Sequence, residues 1–175
     1  MPKTIAAKRL GPSGRVLVLG IGNPGRRDDG LGPHLVERLR ALSLTGVMAD
    51  ANYQLQIEDA LTVAPFDRVV FVDAARSGVR TFRLVALKPR AEIAFTTHAL
   101  SPRSVLALAR ELYGKSPAAH LLAIRGFDFR LGEGLSDKAA GNLEAALARL
   151  AAFIAKGPKA VASRRRARSR ARKPL

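Results

Sequence analysis

The chain has 175 residues, 47% of them hydrophobic, which is enough for one domain with a buried core. It contains no cysteine, which excludes disulfide bonds, thiolate metal ligands and cysteine nucleophiles and fits a reducing, cytoplasmic location. The formal net charge of +16 favours an acidic partner, although seven of the thirty Lys and Arg residues lie in the last twelve positions.

Composition divides the chain into three parts. We predict a flexible basic N-terminus over residues 1–14, one folded domain over residues 15–156 and a disordered Arg-rich tail over residues 157–175. The tail has neither acids nor aromatic residues, so it suits contact with anionic surfaces rather than specific recognition of nucleic acid. No apolar run approaches the roughly 20 residues that a membrane-spanning helix needs, so no membrane span is expected.

The first half of the folded domain alternates between apolar strands and helices. Residues 15–19 predict a strand, and residues 33–44 predict a helix with one apolar stripe. Residues 47–52 predict a second strand and residues 58–63 a short helix. This alternation is typical of a parallel sheet built from strand–helix units.

A third strand is predicted over residues 68–72. Its continuous apolar character is typical of a strand that is buried on both faces, and it is expected to end at Asp73. The side chains of residues 79–87 then alternate between the two faces of a strand, and this pattern predicts an edge strand.

Two capped helices flank the last predicted strand. Ser101 followed by Pro102 predicts the start of a helix that ends at Gly114. Residues 120–124 predict a strand, and Ser136 caps the final helix. Together the elements predict a three-layer α/β/α sandwich with a mostly parallel, twisted sheet of about five strands.

A glycine-rich loop over residues 20–32 follows the first strand and carries the adjacent acids Asp28 and Asp29. It lies at the carboxyl edge of the predicted sheet, where open α/β sheets bind ligands. From Gly20 onward the loop matches the G-x-G-x-x-G spacing of dinucleotide-binding folds, so a nucleotide-binding Rossmann-like module is one alternative. The late start of the helix and the two carboxylates, which would repel phosphates, weigh against it.

Two further residues are candidate functional residues at this edge: Asp73 after the third strand and His98 before the third helix. Strands one and three of a parallel sheet end at the same edge, so Asp28 or Asp29 could meet Asp73 and His98 there. Two carboxylates and an imidazole suit a divalent ion such as nickel, zinc or manganese. Each residue also has a purely structural interpretation, as a helix cap, a turn former or an ordinary loop histidine.

Several short motifs, in order from about residue 15 to residue 153, resemble the hydrogenase maturation endopeptidases. They are G-I-G-N and D-D-G-L-G-P in the first loop, V-D-A at the third strand, H-x-L-x-P before the third helix and G-L-S at the last helix cap. Residues 54–58 also resemble the Gln-Leu-x-Pro-Glu segment of one branch of the family, with Ile57 in place of the proline.

The resemblance implies an endopeptidase that removes the C-terminal peptide from the large-subunit precursor of a nickel-iron hydrogenase after nickel insertion. The nickel of the precursor would be the recognition signal, and no organic cofactor is implied. By the same resemblance the nickel ligands are Asp29, Asp73 and His98. Some members of the family carry Glu at the position of Asp29, so the shorter side chain could change the position of the ion. A monomer that docks transiently onto its precursor is expected.

The sequence leaves the cleavage mechanism open. It contains no His-Glu-x-x-His helix, no cysteine and no serine in a nucleophile elbow. Metal-assisted hydrolysis is the remaining hypothesis, with Asp28 or Asp29 as the catalytic residue that moves protons. A basic nucleic-acid-binding protein is a further alternative, because of the net charge.

Overall fold

The computed structural model of the protein describes residues 14–91 and 100–157. Apart from Gly14 and Gly157, the predicted flexible N-terminus and the predicted Arg-rich tail lie outside these ranges. The predicted ligand His98 lies outside them as well.

Five strands of the described residues form one sheet: β1 (Val16–Ile21), β2 (Val47–Asn52), β3 (Arg68–Ala75), β4 (Phe82–Leu87) and β5 (Ala118–Arg125). Their order across the sheet is β2-β1-β3-β5-β4. The first four positions in this order pair in parallel, and β4 runs antiparallel to β5 at the edge. The predicted mostly parallel sheet of about five strands is confirmed.

Four α-helices of the described residues cover the sheet: α1 (Leu31–Ala41), α2 (Asp59–Val63), α3 (Pro102–Tyr113) and α4 (Asp137–Ala155). A short 3-10 turn over Arg27–Gly30 leads directly into α1, which therefore begins two residues before the predicted start. None of the described helices is long and apolar enough to cross a membrane.

Successive residues of β1 face two different apolar clusters, because side chains alternate along a strand. Val16 and Val18 pack with α1 and α4 on one face of the sheet. Leu17 and Leu19 pack with α2 and α3 on the other face. The predicted three-layer α/β/α sandwich is therefore confirmed, and its core lies on both faces of the sheet.

The helix ends follow the local signals in the sequence. Ser101 accepts a hydrogen bond from the backbone N–H of Ser104 at the start of α3, and Gly114 ends that helix with a left-handed φ of 65°. Ser136 caps α4 by accepting a hydrogen bond from the N–H of Ala139.

The predicted end of the third strand is wrong. β3 continues past Asp73 to Ala75, because its last residues keep their parallel pairing with β5 as far as Ala75 and Arg125. Asp73 therefore projects from within a paired strand and not from the turn that follows it.

Candidate functional site

The first loop is packed tightly against the ends of β1 and β3. Gly20 of β1 pairs with Val72 of β3, one residue before Asp73. A Cβ atom at Gly32 would lie 2.4 Å from the carbonyl oxygen of Ile21 and 2.6 Å from that of Val72. Only glycine permits this approach, which brings the loop and its acids to the carboxyl edge beside Asp73.

A close approach of the backbone also requires glycine at position 22, next to the acids of the loop. Its φ is +135°, and a Cβ atom there would lie 1.9 Å from the carbonyl oxygen of Asp29. The close approach of the loop's own backbone thus explains why this position needs a glycine. The glycine spacing is explained by packing within the chain, which removes the main argument for a Rossmann-like nucleotide site.

Asp73 and Asp29 form a pair of like charges at this edge. Burial raises the pKa of Asp73 to about 6; the hydrogen bond from the N–H of Ala74 opposes the rise, and the charge of Asp29 adds to it. The Asp73 Oδ1 atom accepts that bond at 2.8 Å. No ion pair of the described residues includes either carboxylate. The negative charge here is therefore not balanced by a basic side chain of the described chain.

Asp29 retains acceptor capacity. Its Oδ2 atom accepts a hydrogen bond from the N–H of Asn23 at 3.0 Å, and this bond fixes the side chain within the first loop. A carboxylate has about four lone-pair sites, so most of the acceptor sites of Asp29 remain for a ligand.

Asp28 lies in a different environment from its neighbour. The side chain is fully buried, and its Oδ2 atom accepts bonds from the N–H groups of Phe127 and Asp128 and from the hydroxyl of Ser136, at 2.7 to 2.8 Å. Its Oδ1 atom accepts the N–H of Ser136 at 2.7 Å. Three hydrogen bonds on Oδ2 and one on Oδ1 thus fasten residues 127–136 to the first loop through Asp28.

The electrostatics of Asp28 agree with this structural role. Burial acts to raise its pKa, but the three backbone N–H groups and the Ser136 hydroxyl outweigh burial and hold the pKa below its usual value. A carboxylate with a lowered pKa that already accepts four hydrogen bonds is a poor proton acceptor. Of the two hypotheses for proton transfer, Asp28 or Asp29, this geometry favours Asp29.

The structure therefore brings together Asp29 and Asp73 and directs Asp28 elsewhere; His98 lies outside the described residues. No group of three or more His, Cys, Asp or Glu residues in the described parts of the chain could hold a metal ion. The described site thus supplies two carboxylates, a donor type that suits divalent cations. Their role as ligands stays a prediction.

A shallow groove of about 350 Å³ adjoins the site at the end of β2. Gln54, Gln56 and Glu58 line it, and the buried carboxylate of Asp59 holds it in shape. Asp59 accepts bonds of 2.8 Å from the Asn52 side-chain amide and from the N–H of Gln56. The segment over residues 54–58 is therefore a fixed turn ahead of α2.

The sequence alone did not reveal the partners of Asp28. Ser136 is recognisable as a helix cap, but its hydroxyl also donates to a carboxylate 108 positions away in the chain. The N–H groups of Phe127 and Asp128 carry no signal in their side chains. Only the paired strands β3 and β5 place these groups beside the first loop.

Solved structures of hydrogenase maturation proteases resemble the chain. The maturation protease HycI from Thermococcus kodakarensis KOD1 is 29% identical, with a TM-score of 0.65 over 84% of this chain and 96% of that protein. The maturating endopeptidase HybD from E. coli is 24% identical, with a TM-score of 0.63 over 81% of this chain and 93% of that protein. The hydrogenase 2 maturation peptidase from Thaumarchaeota archaeon SCGC_AB-539-E09 is 22% identical, with a TM-score of 0.60 over 80% and 97%.

The two less similar structures show the fold alone, whereas HycI is also similar in sequence over most of both chains. No protein-family model and no curated protein sequence matches the chain. The predicted resemblance to the hydrogenase maturation endopeptidases is confirmed, as are the α/β fold class and the expectation of a peptidase.

Proposed function

We propose that this peptidase removes the C-terminal peptide from the large-subunit precursor of a nickel-iron hydrogenase, and that the precursor's nickel is the signal it recognises. The observation that carries the proposal is the pair formed by Asp29 and Asp73, two carboxylates of like charge that share the carboxyl edge of the sheet. Holding such a pair together costs stability in the free protein. A bound cation would remove that cost.

The donor chemistry fits the nickel of a precursor better than a resident ion. The described residues offer two carboxylates, and His98 would add an imidazole if the predicted loop reaches this edge. Three protein ligands leave positions on a divalent ion for ligands from the precursor. A site that is complete only with its substrate would distinguish a loaded precursor from an empty one.

In this proposal each residue has a distinct task. A divalent cation held by Asp29 and Asp73 would supply Lewis-acid polarisation of the peptide carbonyl. Asp29, with one backbone donor on Oδ2, has free acceptor sites to take a proton from the attacking water. Asp73, fixed by the N–H of Ala74, holds the second carboxylate in place. Asp28 orients the loop that carries Asp29.

Intact-mass analysis of candidate large-subunit precursors tests the proposal. Nickel-loaded and nickel-free precursors are incubated with the protein, with Asp73→Asn and with Asp50→Asn as a matched control, since Asp50 is an exposed carboxylate already paired with Arg40. We expect loss of a C-terminal peptide only from loaded precursor, and only with the unaltered protein and the control.

Cleavage of nickel-free precursor at the same rate would refute the role of nickel while leaving the peptidase in place. Full activity of the Asp73→Asn variant would show that cleavage does not need the carboxylate pair.

We also propose that the protein acts as a monomer in the cytoplasm and that its Arg-rich tail contacts anionic surfaces. The seven basic residues among the last twelve support the second point. Removing residues 158–175 should leave cleavage intact and weaken retention on anionic vesicles. Size-exclusion chromatography with light scattering should give the mass of one chain.

A further inference from the structure

The loop between β5 and α4, residues 126–136, is anchored along its whole length to the first loop of the site. Asp28 accepts hydrogen bonds near both of its ends. In the middle, the N–H of Arg27 donates to the carbonyl oxygen of Gly132, and the N–H of Gly132 donates to that of Gly25, both at 2.9 Å. Its backbone is therefore fixed before any partner arrives.

This anchored loop nevertheless presents large apolar side chains to water. Phe127 is 47% exposed and Leu131 is 79% exposed. The backbone hydrogen bonds fix the positions from which these side chains project. Apolar groups displayed on a fixed backbone lose little conformational freedom when a partner covers them, which favours binding.

Basic side chains surround the aromatic rings of the loop. The Arg76 guanidinium lies 3.9 Å from the ring centre of Phe129, and Arg125 and Lys138 lie 5.3 and 5.8 Å from that of Phe127. None of the ion pairs of the described residues includes any of these three cations. Aromatic residues beside arginines are the usual composition of energetically important contacts in protein interfaces.

The loop's own central acid does not balance these cations. Asp128 forms ion pairs with Arg130, at 2.7 Å, and with Arg27, at 3.5 Å. The Arg125 guanidinium donates a hydrogen bond to the carbonyl oxygen of Arg76, which leaves its charge in place, so no ion pair of the described residues neutralises Arg76, Arg125 or Lys138.

This surface borders the proposed catalytic edge. The N–H of Gly126 donates to the carbonyl oxygen of Ala75, which is two residues after Asp73 in β3. The loop therefore begins beside the strand that carries Asp73.

We propose that Phe127, Leu131 and their surrounding cations form the docking surface for the precursor, for a segment in which apolar side chains stand next to carboxylates. The inference rests on the proposed function. Apolar groups of the segment would cover Phe127 and Leu131, and its carboxylates would pair with Arg76, Arg125 and Lys138.

The surface suits an acidic protein segment better than nucleic acid or a second copy of the chain. The Arg76 guanidinium lies 3.9 Å from the ring centre of Phe129, which leaves less room for a stacked base on that ring, and a single exposed ring such as Phe127 offers few stacking positions. A second copy would bring the same three cations against each other.

Steady-state cleavage of nickel-loaded precursor tests the surface with the full chain. We compare the double variant Phe127→Ala/Leu131→Ser and the single variant Arg76→Glu with Leu112→Ser and Arg110→Glu, which alter exposed residues of α3. We expect KM to rise about tenfold or more in the loop variants with kcat within about twofold, and no change in the α3 variants. Salt should raise KM of the unaltered protein more than that of Arg76→Glu.

Each other outcome is distinct. An unchanged KM in the loop variants, with normal cleavage by the unaltered protein, would overturn the docking surface and leave the proposed function standing. No cleavage of any precursor by the unaltered protein would overturn both. Tighter binding of a single-stranded oligonucleotide than of precursor, lost in the loop variants, would assign the surface to nucleic acid. A concentration-dependent dimer lost in the same variants would assign it to a second copy.

Discussion

Each of the two edges of the sheet buries a charged side chain, but the surroundings of the two charges differ. At the amino edge, Arg68 is 5% exposed. Its guanidinium donates to the carbonyl oxygen of Phe153 near the end of α4 and lies 5.1 Å from the centre of the Phe153 ring. At the carboxyl edge, Asp73 faces a second negative charge, Asp29.

The difference separates a structural charge from a functional one. A cation at a helix C-terminus and over an aromatic ring is stabilised by partners that folding itself supplies. Asp29 and Asp73 each accept one backbone N–H, but neither has a basic partner among the described residues, so a bound cation would add stabilisation that folding does not supply. The amino edge supplies Arg68 with a carbonyl acceptor and an aromatic ring of the same chain, whereas the described residues supply no basic partner to Asp29 or Asp73.

The largest effect should come from Asp73→Asn, which keeps the shape of the side chain and removes its charge. We expect single-turnover cleavage to fall about a thousandfold, equivalent to about 4 kcal/mol, because one carboxylate of the pair no longer holds the cation. The melting temperature without metal should be unchanged or higher, because the variant no longer buries a charge beside Asp29. A lower melting temperature with normal cleavage would make Asp73 a structural residue like Arg68.

Asp28→Asn should instead act on stability. The amide would place an N–H group among four donors, so the free energy of unfolding at pH 7 should fall by about 2–4 kcal/mol. Asp137→Asn, at the exposed start of α4, is the matched control.

The effect of Asp28 should also depend on pH in a defined direction. Its folded-state pKa is lowered, so its contribution is present above about pH 4 and is lost as the pH falls below that value. Urea unfolding at pH 7 and at pH 3 should therefore show a smaller difference between the variant and the unaltered protein at pH 3. An equal difference at both values would mean that charge is not what Asp28 contributes.

At the amino edge, Arg68→Met should change little. The variant keeps a long side chain against Phe153 and removes a buried charge that has no carboxylate partner among the described residues. We expect the free energy of unfolding, measured by urea denaturation, to change by less than about 1 kcal/mol in either direction. We expect cleavage to be unaffected. A loss of cleavage would show that the two edges are coupled.

The smallest effect is expected from His120, which lies beside Arg68 and Phe153. Burial lowers its pKa, and the charge of Arg68 lowers it further. The unfolded chain therefore binds this proton more readily, so stability should decrease as the pH falls below about 6.5. His120→Gln should give a shallower decrease of melting temperature between pH 7 and pH 5. An identical slope of melting temperature against pH in both proteins would show that groups other than His120 determine the pH dependence.

The sequence by itself determined much of the fold, because its signals act over a few residues. Ser101, Gly114 and Ser136 set helix ends through hydrogen bonds and backbone conformations within about four positions. The strand segments and the mostly parallel sheet followed from apolar runs and their alternation with helices. The glycines of the first loop also marked the correct edge of the sheet.

Only the tertiary structure decided what the two adjacent acids do. Asp28 and Asp29 are indistinguishable in sequence, yet one binds groups about 100 positions away and the other interacts with the charge of Asp73. The same long-range pairing extends β3 past Asp73, because β5 supplies partners that residues 68–75 do not encode locally. Side-chain direction and strand length here depend on which strands become neighbours, and that is settled only when the whole sheet assembles.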